Sequence, residues 1–158
     1  MSLKNPVPKF TSVFWQMVAH RVIYNIMHRV QQEHKNYLGQ SFKDYSANYS
    51  ERKSQNKAKP KGMSQQSTST IPDMTLTGKT MADLQIRSKN DKGIVIGWIG
   101  IFGDVVSKLF NKKNYKIVNL GAGDPFSKKE MKIIDDAINK KIDTEIKEYC
   151  SKPIILGK

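Results

Sequence analysis

The sequence predicts an α+β domain in which a small antiparallel sheet is flanked by a long N-terminal helix and a C-terminal helix. Apolar residues recur every four positions from Phe14 to Val30, which is typical of a helix with one buried face. Two β-rich runs separated by polar turn residues between positions 84 and 99 indicate a hairpin. The sequence Ser127-Lys-Lys-Glu130 matches a capping box and predicts the start of the second long helix.

The N-terminal helix is predicted to begin at about Thr11 or Ser12 and to end at about Tyr37, with Gly39 closing it. Its apolar stripe is wider than one facing helix would cover. We interpret it as a core helix that also contacts a neighbouring subunit, although a purely internal role explains any single residue at least as well. The stripe consists of Phe10, Val13, Phe14, Met17, Val18, Val22, Ile23, Ile26, Met27 and Val30.

A polar, basic stretch at positions 43–72 is predicted to be a long loop. Ser, Gln, Asn, Lys, Gly and Pro dominate it, and nothing between positions 53 and 70 suggests a core anchor. A loop of this length inside a compact domain is usually functional or disordered. Phe42, Tyr45 and Tyr49 are spaced by three and four residues. We expect them to attach the start of the loop to the domain or to lie at a subunit interface.

Positions 79–99 supply the predicted hairpin. A short helical turn is expected at 79–83, followed by a strand from Leu84, a polar turn at 88–93 and a return strand at 94–99. The return strand, Ile94-Val-Ile-Gly-Trp98-Ile99, is continuously apolar. This character predicts that both of its faces are covered.

Three elements are predicted before the C-terminal helix: a short helix at 103–110, a strand at 115–120 and a turn at 121–125. The C-terminal helix itself is expected to end near Tyr149. It has charged residues on one side and an apolar stripe on the other, which should face inward. The stripe consists of Met131, Ile134, Ile138, Ile142, Ile146 and Tyr149.

Two terminal segments flank the predicted single domain at 10–149. Residues 1–9 are expected to form an extended arm, because Pro6 and Pro8 exclude a helix interior. Residues 150–158 are expected to form an extended tail. Its apolar triplet should dock on this domain or on a neighbour, and consists of Ile154, Ile155 and Leu156.

The composition of the 158 residues favours an acidic partner. Lys and Arg number 27 against 14 Asp and Glu, a net charge of +13, which attracts polyanions or acidic protein surfaces. A basic surface without a nucleic-acid partner is the alternative. The single Cys150 cannot form an internal disulfide, so a reducing cytoplasm is the expected folding compartment. Neither a signal peptide nor a membrane span is expected.

No catalytic, cofactor or metal site is predicted. The histidines His20, His28 and His34 are spaced by eight and six residues, which does not stack two imidazoles one helical turn apart. The carboxylates are scattered rather than paired. The sequence Gly121-Ala-Gly123 lacks the third glycine of a dinucleotide-binding loop, and a tight turn before a capped helix explains it.

The basic residues of the predicted loop are the candidate contacts to DNA phosphates or to an acidic partner. A flexible basic arm can follow a phosphate backbone without reading its sequence. A solvated loop with no partner explains the same residues. Stacking of Tyr45 and Tyr49 on bases is an alternative, but attachment of the loop is the better interpretation. The candidate contacts are Arg52, Lys53, Lys57, Lys59 and Lys61.

Four short sequence motifs follow the N-terminal helix in order. The first is Gly39-Gln-Ser-Phe42-Lys-Asp-Tyr45-Ser46-Ala-Asn-Tyr49-Ser-Glu-Arg52-Lys53, and the second is Leu76-Thr77-Gly78-Lys79-Thr80-Met81. The hairpin then ends in Ile96-Gly97-Trp98, and Pro125-Phe126-Ser127 with Glu130 opens the last helix. In this order, over about residues 10 to 148, the chain resembles the tail-completion or head–tail connector (neck) proteins of tailed bacteriophages, the group that includes minor tail protein Z.

The resemblance implies a non-enzymatic virion protein, made in the host cytoplasm, that needs no cofactor. It would form a ring, commonly of six copies, between the portal or its adaptor and the tail tube or terminator. The ring would surround the DNA channel and could contact packaged DNA non-specifically, without any membrane. The alternative that the charge suggests is a basic, sequence-nonspecific nucleic-acid-binding accessory protein outside any virion.

Overall fold

A computed structural model describes residues 7–59, 61–75, 79–99, 116–119 and 123–151. The predicted α+β class is confirmed: a two-stranded antiparallel sheet accompanies an N-terminal and a C-terminal helix. In chain order the described elements are α1 (Ser12–Gln31), α2 (Ala47–Ser54), α3 (Lys79–Ala82), β1 (Leu84–Asn90), β2 (Gly93–Trp98) and α4 (Lys128–Cys150).

The first helix begins where the sequence predicts and ends earlier. The Thr11 hydroxyl accepts a hydrogen bond from the Phe14 amide and caps α1. The predicted continuation to Tyr37 is wrong, because α1 ends at Gln31 and His34 adopts a φ of 56°. Buried Asn36 forms the following turn, since its Oδ1 accepts hydrogen bonds from the amides at positions 38 and 40. Such local side-chain bonds compete with helix continuation.

The hairpin matches its prediction with a tighter turn. Leu84 pairs with Trp98 at one end, and Asn90 pairs with Gly93 at the other. The Asn90 side chain accepts hydrogen bonds from the amides of Lys92 and Gly93. The strands therefore extend into the predicted turn. The expectation that β2 is covered on both faces is wrong, because Val95 is 53% exposed.

The hydrophobic core lies between α1, the hairpin and the first half of α4. Val22, Ile26 and Val30 of α1 are at most 1% exposed. Full burial of each such side chain stabilises the fold by roughly 1.5–3 kcal/mol. The other buried core residues are Phe14, Val18, Phe42, Met81, Leu84, Ile117 and Val118.

The last helix covers this core with its N-terminal half only. The capping box is present. The Ser127 hydroxyl accepts a hydrogen bond from the Glu130 amide, and the Glu130 carboxylate accepts one from the Ser127 amide. Ile134 and Ile138 pack against the core, as predicted. Ile146 and Tyr149 are 45% and 41% exposed, so the expectation of an inward stripe along the whole helix is wrong for its end.

A buried ion pair joins the two long helices. Arg29 of α1 donates from Nε and Nη2 to the two carboxylate oxygens of Glu130, at 2.8 and 3.3 Å. The guanidinium also donates to the backbone oxygens of Lys35, at 3.0 Å, and Ile117, at 2.8 Å. Both side chains are at most 5% exposed. One side chain therefore fixes α1, the turn after it, the segment at Ile117 and the start of α4.

Several predicted segments lie outside the described residues: most of the arm at 1–9, the helix at 103–110, and the triplet Ile154-Ile155-Leu156. Of the predicted strand at 115–120, the structure describes 116–119, and these four residues are irregular rather than a strand. The Lys116 carbonyl accepts the Tyr37 amide, and the Asn119 amide donates to the Pro125 carbonyl. These hydrogen bonds tie the segment to turns, which leaves no strand ladder there.

Replacement of Glu130 by Gln is expected to destabilise the fold by about 3–5 kcal/mol, because it leaves the Arg29 charge buried and uncompensated. The free energy of unfolding in urea measures the effect. Lys132→Ala, which breaks the exposed pair with Asp136, is the control and should cost less than about 1 kcal/mol. Equal losses in the two variants would contradict a central role for the buried pair.

Candidate functional site

The polar stretch at 43–72 is more ordered than its composition predicts. It contains α2, whose cap Ser46 accepts the Tyr49 amide at 3.4 Å. Lys53, on the last turn of α2, is 0% exposed, and its Nζ lies 2.7 Å from Oδ1 of Asp73. The expectation that nothing here anchors the domain is therefore wrong. So is the expectation that Lys53 contacts DNA or an acidic partner, because its ammonium is used inside the chain.

The Lys53–Asp73 pair is the centre of a small polar network, which we call the clasp and define as Tyr45, Lys53, Ser67 and Asp73. Asp73 accepts hydrogen bonds from three groups: Lys53 Nζ at 2.7 Å, the Ser67 hydroxyl at 2.5 Å and the Thr75 amide at 3.0 Å. Lys53 Nζ also donates to the Tyr45 hydroxyl at 3.3 Å and lies 4.8 Å from the centre of its ring. The clasp joins the end of α2 to the chain twenty residues later.

The electrostatics of the clasp favour a structural role. Burial alone would raise the pKa of Asp73, but hydrogen bonds from Lys53, Ser67 and the Thr75 amide outweigh it and hold that pKa below 3.8. Burial raises the pKa of the neighbouring Tyr49 above 10.0. Asp73 is thus ionised and Tyr49 neutral at pH 7. Neither is poised to exchange a proton near neutrality, which is what general acid–base chemistry requires.

The aromatic residues before and within α2 lie where the polar stretch at 43–72 attaches to the domain. Phe42 is 5% exposed and belongs to the hydrophobic core. The rings of Tyr45 and Tyr49 meet edge to face with centroids 4.8 Å apart. The Tyr45 hydroxyl accepts a hydrogen bond from the Asp73 amide at 3.3 Å. Tyr45 and Tyr49 are half-buried, so little of either ring remains for stacking on a base.

The other four predicted cations are exposed. We call them the basic segment, defined as Arg52, Lys57, Lys59 and Lys61. Arg52 donates to the Lys57 carbonyl at 3.3 Å, and the Lys57 amide donates to the Arg52 carbonyl at 2.7 Å. Within the described part of the chain, no carboxylate pairs with any of the four. Their charges face solvent beside the rigid end of α2.

Apolar side chains are exposed on the outer face of α1. Val13, Met17 and Tyr24 are 63%, 58% and 67% exposed. Their spacing of four and seven residues places them on one side of the helix, opposite the core-facing stripe. The interpretation that α1 has more apolar surface than its own domain covers agrees with this placement. Contact with a second subunit stays a prediction.

A groove of about 260 Å³ separates α1 from α4, and sequence reasoning missed it. Its floor is apolar and its rim is cationic, and none of its described lining residues is acidic. The available signal was a basic residue beside each apolar stripe, Arg21 on α1 and Lys140 on α4. The lining residues are Phe14, Met17, Val18, Arg21, Ala137, Lys140, Lys141 and Thr144.

Within the described ranges, no group of three or more His, Cys, Asp or Glu side chains could hold a metal ion. None of the described helices is both long and apolar enough to cross a bilayer.

Comparison with known proteins adds no relative. The sequence matches no protein-family model, no curated protein and no solved structure. The resemblance to phage neck proteins consequently rests on the four sequence motifs alone and stays a prediction.

Replacement of Asp73 by Asn is expected to destabilise the fold by about 3–5 kcal/mol at pH 7, because Lys53 would be buried without a counter-charge. A carboxylate whose pKa is lower in the folded than in the unfolded protein stabilises the fold at pH values above its unfolded pKa, here 3.8. This stabilisation is lost as the pH falls through the pKa of the folded state. The difference between wild type and variant should therefore be constant above about pH 5 and shrink below it. Urea unfolding from pH 7 to pH 2.5 measures it.

The control for that experiment is Asp136→Asn, which removes an exposed carboxylate paired with Lys132. Its cost should stay under about 1 kcal/mol throughout. A difference between wild type and Asp73→Asn that does not depend on pH would contradict an ionised Asp73 in the clasp.

Proposed function

We propose that the chain is a non-enzymatic structural protein of a phage neck. Copies of it would form a ring that joins the portal or its adaptor to the tail and surrounds the DNA channel. The protein would be made in the host cytoplasm and would end in the virion. One observation carries the proposal: both long helices expose apolar side chains on surfaces that the described part of the chain leaves uncovered.

Exposed apolar surface on two helices suits a ring. Each protomer of a closed cyclic ring needs two different, complementary faces. The outer face of α1, with Val13 and Tyr24, is one candidate face. The end of α4, with Ile146 and Tyr149, is a second candidate. Burial of apolar area contributes about 25 cal/mol per Å², so contacts at both faces would favour assembly.

The clasp and the basic segment fit the same proposal. The clasp holds α2 against the domain, and the basic segment starts at the end of that helix. Four exposed cations on a fixed support could contact the DNA in the channel or an acidic neighbouring protein. Contacts of this kind neutralise phosphates without reading a base sequence.

Native mass spectrometry of the purified protein, mixed with its neighbouring portal-adaptor and tail-tube proteins, tests the ring. We expect closed oligomers for the wild type and their loss in Val13→Asp with Tyr24→Asp, because each change places a charge on the outer face of α1. The control is Val95→Asp, at an exposed apolar residue of the hairpin. A wild-type protein that stays monomeric with every neighbour would contradict the proposal.

The second candidate function is a sequence-nonspecific nucleic-acid-binding accessory protein. The exposed basic segment and the net charge of +13 favour it. If the isolated protein binds duplex DNA tightly, without any virion protein, this candidate becomes the better one. Its affinity would then fall steeply with salt, because each neutralised phosphate releases counterions.

The triple variant Lys57→Gln, Lys59→Gln, Lys61→Gln separates the basic segment from general surface charge. If these lysines contact phosphates, the slope of log affinity against log salt should become shallower by about 2.7, since each contact contributes about 0.9. Fluorescence anisotropy with a labelled duplex at several salt concentrations measures the slope. The control changes three exposed lysines of α4, at positions 128, 132 and 147. Equal changes in both variants would contradict a localised site.

A further inference from the structure

We propose that the groove between α1 and α4 binds an acidic amphipathic helix of a neighbouring protein. That neighbour would belong to the same assembly as the ring, so the identity of the partner rests on the proposed function. The groove itself is defined by described residues of both helices.

The shape of the groove suits protruding side chains. Phe14 and Val18, at 9% and 5% exposure, form a buried apolar floor, and Met17 forms an exposed ridge at 58%. Ala137 on α4 has a small side chain, which leaves space between the two helices. The volume of about 260 Å³ lies just below the range of roughly 300–1,000 Å³ that is typical of small-molecule pockets. A few side chains of a docking helix fit this space better than a drug-sized ligand.

The charge of the groove selects the partner. Arg21 and Lys140 stand on opposite helices, and within the described residues neither side chain has a carboxylate partner. Lys141 completes the cationic rim and is held by Glu145 at 2.9 Å. Unpaired cations on both sides of an apolar floor complement a helix with an apolar stripe between acidic residues.

Two other occupants fit the groove less well. A DNA backbone would use the cations but leave the apolar floor without a partner. A second copy of this chain would bring no acidic residue on α1 and equal numbers of lysines and carboxylates on α4, so neither long helix would neutralise the cationic rim. An acidic helix uses both the floor and the rim, and it reduces the charge of the complex.

The probe for the test is a synthetic, fluorescein-labelled helical peptide of about 18 residues, or five helical turns. Leu at positions i, i+3, i+4 and i+7 forms its apolar stripe, with Glu on both sides. Fluorescence anisotropy with the full chain should show saturable binding. Arg21→Glu with Lys140→Glu should weaken binding at least tenfold, because both rim charges are reversed. The control, Lys89→Glu with Lys132→Glu, makes the same change in net charge outside the groove and should weaken binding less than threefold.

A charge-reversed probe, with Lys in place of Glu, supplies the reciprocal test. It should bind the Arg21→Glu, Lys140→Glu variant at least tenfold more tightly than it binds the wild type. Both residues are exposed, so the fold should tolerate their replacement, and circular dichroism checks this. A correctly folded variant that shows no such preference would overturn the proposal.

Four other outcomes would also overturn it. Equal losses in the rim and control variants would show attraction to net charge alone. Unchanged affinity for a probe with Ser in place of Leu would show that the apolar floor is not used. Displacement of the probe by duplex DNA at equal affinity would assign the groove to nucleic acid. Self-association of the chain that the rim variant abolishes, without probe binding, would assign it to a second copy.

The groove and the neck function can fail separately. If the probe binds as expected but no oligomer forms with virion proteins, the groove is supported and the neck function is not. If virion proteins assemble with the rim variant as well as with the wild type, the neck function is supported and the groove proposal is overturned.

Discussion

The buried pair between Arg29 and Glu130 is the interaction on which the arrangement of the domain depends. Among the described residues, it joins α1 to the start of α4 beside the apolar packing of the same two helices. The guanidinium makes four hydrogen bonds, two to the carboxylate and two to backbone oxygens. A buried charge is tolerated only when its hydrogen-bonding groups are satisfied in this way. The pair therefore holds the end of α1 against the start of α4.

The clasp also contains a buried ion pair, and it attaches the polar stretch at 43–72 to the domain. Few apolar residues lie between α2 and α3, although Pro72 is buried and Met74 packs against the core. Lys53 and Asp73 add a polar attachment, supported by Tyr45 and Ser67. One buried pair joins α1 to α4, and the other joins the end of α2 to Asp73.

Sequence reasoning succeeded where a structural signal is local. The cap at Thr11, the capping box at Ser127 and the hairpin depend on residues close together in the chain. It failed at one local signal, because the turn that Asn36 forms after α1 was not recognised. It also failed where distant residues decide, since the burial of Lys53 depends on a carboxylate twenty residues away. Helix α2 was missed because its composition is polar, although Ser46 is a good cap. The groove was missed because Arg21 and Lys140 meet only after α1 packs on α4.

The clasp has a consequence for variation of chain length. It pins both ends of the intervening segment, so residues added between Gln55 and Gln65 would enlarge a loop whose closure is already fixed. Doubling the length of a flexible loop costs only about 0.6 kcal/mol. Insertions and deletions there could change how far the lysines reach while the body of the protein stays the same.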